Sequence, residues 1–246
     1  MTAINKEIKT NDSLVLDGEE VQKEYNVTLD MGENYEEIQE SLLRNCPSMQ
    51  TIMTSQNEES DVSISDKEEA KDLYDQGMES YRAQKFDQAI VHFKKATKKD
   101  RKFAWAWDML GISYRKKEEF KKAIKAYDKS IALDPEGRMP LMNRPIANLM
   151  LENYDEAIRD YKRFIKIYPD DPEGFYGIGR VYAIQGNYEE ALDNTMKAYL
   201  MYNDIDSPYA RDAEKNLALY YQTLQQENKL DIWNKIADKY NIKIGG

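Results

Sequence analysis

The chain has 246 residues, 41% of them apolar, a net charge of −10, a single cysteine and a single histidine. That is enough apolar material for a core spread over one or two domains, while the lone Cys46 excludes an intrachain disulfide and the lone His92 excludes a Cys/His zinc cluster. No run of about 18 apolar residues is available to span a bilayer, and no basic start leads into an apolar stretch. The expectation is a cytoplasmic protein, or an exported one if a signal was removed ahead of this numbering.

The charge is concentrated. Residues 1–69 hold 17 acidic and 5 basic side chains, a net of −12, and residues 70–246 hold 28 and 30, a net of +2. Within 94–129 the balance reverses, with 13 basic residues against 5 acidic ones. The acidic segment could fold onto this basic run, in which case truncating 1–69 should strengthen binding of acidic or apolar peptides.

In chain order, residues 1–53 form an acidic extension expected to be partly helical. "YEEIQESLLRNCPSMQTIM" at 35–53 spaces Ile38, Leu42, Leu43, Cys46, Met49 and Ile52 along one face. Residues 54–69 open with "TSQNEESDVSISD", polar, acidic and free of aromatics, the composition of a linker.

From residue 70 the sequence repeats. "AWDMLGISYRKKEEFKKAIKAYDKSIALDP" at 106–135 contains Trp107, Leu110, Gly111, Tyr114, Ala123, Tyr127 and Pro135. Steps of 34 residues carry Gly111 to Gly77, Pro145 and Gly179, and Ala123 to Ala89, Ala157 and Ala191. The same steps carry Phe120 to Phe86, Tyr154 and Tyr188. Four copies follow, 70–103, 104–137, 138–171 and 172–205. Each offers two helical patterns joined by a short break such as "RKKEEF", "LENY" or "IQGNY", with an aromatic opening the second. Glycine inside a helix costs about 1 kcal/mol relative to alanine, so glycine on the first helix matched to alanine on the second implies small surfaces that let the two approach closely. Residues 206–246 keep the phase weakly, and the apolar stripe Leu230, Trp233, Ile236 and Tyr240 marks them as a degenerate repeat or capping helices.

These residues resemble the tetratricopeptide repeat, W-x₂-L-G-x₂-Y followed by A-x₃-F and P. The resemblance implies an all-α fold: a right-handed solenoid of helical hairpins, capped by C-terminal helices and preceded by the acidic extension. It also implies a groove lined by the first helix of each repeat. Carried over position by position, the groove stripe comprises Tyr74, Met78 and Tyr81, then Trp105, Asp108, Ile112 and Arg115. It continues with Met139, Met142, Asn143, Ile146 and Met150, and ends with Tyr176 and Arg180. Its aromatic and methionine content suits an apolar peptide or amphipathic helix, although the N-terminal segment or a second copy could cover it instead.

One subset of the family grips acidic tails of heat-shock chaperones with lysine, asparagine and arginine side chains. Its leading lysine and asparagine fall here on Tyr74 and Met78, or on Asp108 and Ile112 if the second repeat leads. Asn143 matches one asparagine, but the following lysine and arginine become Glu173 and Gly177. Binding of such tails is therefore not expected.

Catalysis is not expected either. The chain lacks G-x-G-x-x-G, G-x-x-x-x-G-K-[ST], G-x-S-x-G and H-E-x-x-H. His92 lies among lysines in a second helix, Cys46 on an apolar face, and pairs such as Glu118/Glu119 sit in turns. No cofactor or metal site is expected. The function expected is non-catalytic protein–protein interaction through the groove. The alternatives are a self-associating structural subunit and, behind it, a nucleic-acid scaffold using the basic 94–129 surface. Pro145 takes the small-residue position of the third repeat, where it removes a helical hydrogen bond at a cost of about 3 kcal/mol. With Pro140 ahead of it, that helix is expected to start late or bend.

Overall fold

The computed structural model describes residues 65–242 and the backbone of residues 15–16, 19–20, 25–27 and 243–244. The helix expected at 35–53, and Cys46 with it, lies outside the described residues. Two compact units emerge, Met49–Tyr168 and a second made of Met1–Ser48 with Pro169–Gly246.

The first unit is three helical hairpins. Helices α1 (Glu68–Arg82) and α2 (Phe86–Lys99) form one, α3 (Ala104–Lys116) and α4 (Phe120–Leu133) the next, and α5 (Arg138–Leu149) and α6 (Tyr154–Ile167) the third. Each second helix spaces its buried side chains at helical intervals: Ala89, Ile90, Phe93 and Ala96 on α2, Ala123, Ala126 and Tyr127 on α4, and Ala157, Ile158, Tyr161 and Phe164 on α6. That stripe packs on the helix before it, and α2 against α3 and α4 against α5 stack the hairpins. Lys67, Lys85, Phe103, Glu119 and Gly137 stand at the N-caps without a side-chain cap bond, so the helices draw their stability from packing rather than capping.

The breaks inside the hairpins share one device. Gln84, Glu118 and Glu152 all adopt left-handed backbone, with φ of 57°, 59° and 60°. Each hydrogen-bonds back across the helix end: Gln84 N to Tyr81 O, Glu118 N to Arg115 O and Glu152 N to Leu149 O, at 2.9 Å in all three. The next residue reaches one residue further back along the first helix, as Glu119 N does to Tyr114 O at 2.9 Å. This closes the exposed carbonyls of the first helix and reverses the chain.

Gly179 lies against Ala191, but Gly77 and Gly111 do not face the alanines as the sequence suggested. A Cβ built on Gly77 would lie 2.5 Å from the ring of Phe93, and one on Gly111 would lie 2.5 Å from that of Tyr127. The close approach is therefore made to admit a fully buried aromatic one turn beyond each alanine. Helix α5 starts at Arg138 and runs unbroken through Pro145 to Leu149, against the expected late start. Pro140 falls in its first turn, where a backbone N–H has no intrahelical partner to lose.

The second unit holds α7 (Glu173–Ile184), α8 (Tyr188–Asp204), α9 (Ala210–Gln226) and α10 (Leu230–Lys239). Between α7 and α8 the left-handed position is Gly186, φ 76°. The core gathers Leu192, Met196, Tyr202, Leu217, Tyr220 and Trp233, with Tyr221 and Trp233 edge to face at 5.0 Å. Four short strands complete the described chain. Strand β1 (Val15–Leu16) pairs antiparallel with β2 (Glu19–Glu20), and β3 (Tyr25–Val27) pairs parallel with β4 (Ile242–Ile244), placing Tyr25 opposite Ile242.

Candidate partner-binding surface

The stripe residues of the first unit divide by exposure. Tyr74, Met78 and Tyr81 on α1, Trp105 and Arg115 on α3, and Met150 at the end of α5 are half-buried. Tyr74 leans on the rings of Phe93 and Phe103 at 5.6 and 5.0 Å, and Tyr81 on Phe86 at 5.5 Å. Aromatics braced in this way present a rigid apolar edge at little entropic cost. Asp108, Ile112, Met139, Met142, Asn143 and Ile146 are buried.

In the second unit, Tyr176 and Arg180 are also buried. The Tyr176 hydroxyl accepts a hydrogen bond of 2.9 Å from Asn216 Nδ2, its ring meets Tyr202 at 6.0 Å, and the Arg180 guanidinium lies 6.0 Å from its centre. Both side chains belong to the interior of that unit as well as to the stripe.

Asp108 is the chemical exception in the stripe. It is 6% exposed, and its Oδ1 makes no hydrogen bond. Burial pushes its carboxyl from the ordinary value near 3.8 up to about 8; the Ser130 hydroxyl opposes that shift and the Asp134 carboxylate adds to it. Burial likewise raises the Tyr74 and Tyr127 phenols, each further raised by Asp108. An acidic residue at a position whose neighbours in the stripe are apolar was the one sequence signal for this group.

Two features were not legible in the repeat pattern. Arg144 on α5 joins Asp128 on α4 to Asp160 on α6. On the outer helices, the ammonium groups of Lys94 and Lys122 each lie 5.5 Å from the centre of the Tyr114 ring. His92 on α2 is half-buried with lysines nearby. Among the described residues no group of three His, Cys, Asp or Glu side chains is arranged to hold a metal ion, and no helix is long and apolar enough to cross a membrane.

Comparison with known proteins bears on the same helices. Models of the tetratricopeptide repeat match residues 104–136 and 149–210. The small glutamine-rich tetratricopeptide repeat-containing protein 2 of Saccharomyces cerevisiae is 31% identical over 107 residues, 44% of this chain and 30% of that protein. The Hsp70-Hsp90 organizing protein of Triticum aestivum is 26% identical over 125 residues, 51% of this chain and 21% of that protein. The chain thus spans less than a third of the length of either relative.

Among solved structures, MamA from residue 41 onward, of Desulfovibrio magneticus RS-1, superimposes with a TM-score of 0.58. Its identity is 15%, over 71% of this chain and 96% of that one. A thermophilic tetratricopeptide-repeat protein of Thermus thermophilus gives 0.53 at 19% identity, over 69% and 90%. At such identities the likeness is one of fold. The chain carries tetratricopeptide repeats at 104–136 and 149–210, and its fold is the helical-hairpin solenoid that such repeats build.

Proposed function

We propose that the chain is a non-catalytic protein–protein interaction module, with four repeats over 70–205 and 206–246 as its cap. It takes an apolar or amphipathic partner segment along the first helices. The observation that carries this reading is the half-buried row Tyr74, Met78 and Tyr81 on α1 with Trp105 on α3, in which Tyr74 is braced by the buried rings of Phe93 and Phe103. Helices laid in such rows bind through anchors one turn apart. The repeats support an interaction role, since their defining positions record packing and leave the open face to vary.

Some relatives are named for chaperone organisation, yet an acidic chaperone tail is not the partner proposed here. A tail of that kind needs a lysine and an asparagine where this chain has Tyr74 and Met78, or Asp108 and Ile112.

Affinity capture with the wild type beside a Met78→Glu/Trp105→Glu double variant tests the reading. Both side chains are half-buried, so the variant should keep its helical circular dichroism while losing its partner. Tyr176→Ala would be a poor probe, because it also strips Asn216 of its acceptor inside the core. A partner retained undiminished by the folded double variant would remove the groove as the site, and concentration-dependent sedimentation of that variant would favour self-association.

A further inference from the structure

The outward faces of α2 and α4 carry lysines that the hairpin packing does not use. Lys94, Lys95 and Lys98 are exposed on α2, and Lys121, Lys125 and Lys129 on α4. Their neighbours Lys99, Lys117 and Lys122 are neutralised by Glu69, Asp87 and Glu119, but these six enter no ion pair among the described residues. The two rows converge over Tyr114 of α3, whose buried ring has Lys94 on one helix and Lys122 on the other at the same 5.5 Å.

This is not a general property of outer helices in the chain. The outer helix of the third hairpin, α6, exposes Asp155 and Glu156 together with Arg159, Lys162 and Lys166, a mixed face that neutralises itself. Unpaired like charges crowded onto α2 and α4 repel one another, and an external polyanion relieves that repulsion.

The kind of polyanion follows from the rest of the face. The six cations are all lysines, point charges on flexible stems, without the planar fork by which arginine selects single carboxylates or phosphates. The central aromatic, Tyr114, is 6% exposed and offers no platform on which a nucleic-acid base could stack. Val91 stands on the stripe of α2 that continues through Lys94, Lys95 and Lys98, and it is 49% exposed, one of two large apolar side chains so exposed among the described residues. Diffuse cationic charge around an exposed apolar side chain matches an anionic bilayer, where lysine stems lie along the interface and the amines stay with the headgroups.

We infer that the α2–α4 face is a peripheral docking surface for a bilayer containing anionic lipid. Lys94, Lys95, Lys98, Lys121, Lys125 and Lys129 meet the headgroups, and Val91 contacts the interface. This surface lies on the second helices of the hairpins and does not depend on the partner proposed for the first.

The test is co-sedimentation of the full chain with phosphatidylcholine vesicles, with and without phosphatidylserine, at low and high salt. Binding is expected only with phosphatidylserine and only at low salt. A Lys94→Glu/Lys98→Glu/Lys121→Glu/Lys125→Glu variant with unchanged circular dichroism should lose on the order of 100-fold or more in partitioning. Arg159→Glu/Lys162→Glu on α6, and the Met78→Glu/Trp105→Glu groove variant, should bind vesicles as the wild type does. Equal binding to neutral vesicles, or undiminished binding by the quadruple variant, would overturn the proposal. So would the absence of vesicle binding beside tight binding of duplex DNA or polyglutamate.

Discussion

Arg144 on α5 holds Asp160 on α6 by two parallel hydrogen bonds, Nε to Oδ2 at 2.9 Å and Nη2 to Oδ1 at 2.6 Å. Its remaining Nη1 reaches Asp128 on α4 at 2.8 Å, and Asn148 Nδ2 lies 3.5 Å from Asp160 Oδ2. One guanidinium thus ties two hairpins together through α5, the helix whose hydrogen-bond ladder Pro145 interrupts. The fork uses the planarity of arginine, and both side chains are largely shielded, at 19% and 10% exposure. Arg144→Lys keeps the charge but loses the fork, and should cost about 1–2 kcal/mol. Asp160→Ala should cost about 3 kcal/mol, because it leaves the arginine half of a largely buried pair behind. Chemical denaturation of both variants checks the order; an Arg144→Lys variant as stable as the wild type would mean that the fork geometry contributes nothing beyond charge.

The left-handed turns give a prediction of opposite sign. Gln84, Glu118 and Glu152 hold a conformation that crowds a Cβ against the following carbonyl, at a cost of about 1 kcal/mol each. The same place between α7 and α8 is taken by Gly186, which has open space around it. Gln84→Gly, Glu118→Gly and Glu152→Gly should each raise stability by about 0.5–1 kcal/mol, less whatever entropy the unfolded chain gains. Thermal unfolding of the three singles and the triple tests this, and near-additive gains are expected because the turns lie in separate hairpins.

Gly111→Ala should destabilise although alanine favours helix. The added methyl falls 2.5 Å from the ring of Tyr127, which is fully buried and has little room to give way. Overpacking of that kind costs about 1–3 kcal/mol and outweighs a propensity gain of about 1 kcal/mol. In a double-mutant cycle with Tyr127→Leu, the cost of Gly111→Ala should shrink, since the smaller side chain leaves space for the methyl. An unchanged cost would place the strain elsewhere.

What the 34-residue period made legible was the fold, because the repeating residues are those that pack. Ala89, Ala123, Ala157 and Ala191 recur because second helices must come close, and all four are fully buried. What faces Gly77 and Gly111 was misread, since periodicity reports which positions are small but not which neighbour makes them so; that takes the placement of Phe93 and Tyr127. The path of α5 was misread for a related reason. Proline is costly to an isolated helix, but a helix held on both sides by hairpin packing and by Arg144 can run through it. The exposure of the stripe was not legible: position in the repeat could not say that Met78 and Trp105 would be half-buried while Ile112 and Tyr176 would be buried. Nor could sequence spacing bring Lys94 and Lys122 to one ring, since they belong to different hairpins.

Asp108 carries the pH dependence. Its folded carboxyl holds a proton up to about pH 8, whereas in the unfolded chain it releases that proton near 3.8. Between those values the unfolded state binds fewer protons than the folded one. Stability therefore falls as pH rises through that window, on the order of 1 kcal/mol per pH unit at most, and the loss is complete once the pH passes about 8. Below the window both states are protonated and the penalty vanishes. The groups facing Asp108 are Tyr74 on α1, Tyr127 and Ser130 on α4, and Asp134 just beyond α4; none is a cation that could hold the carboxylate ionised. Asp108→Asn, nearly isosteric and always neutral, should match the wild type near pH 4 and exceed it progressively toward pH 8. Urea midpoints of the two proteins across that range decide the matter: a difference that stays flat with pH would show that Asp108 ionises in the folded chain as readily as it does in the unfolded one.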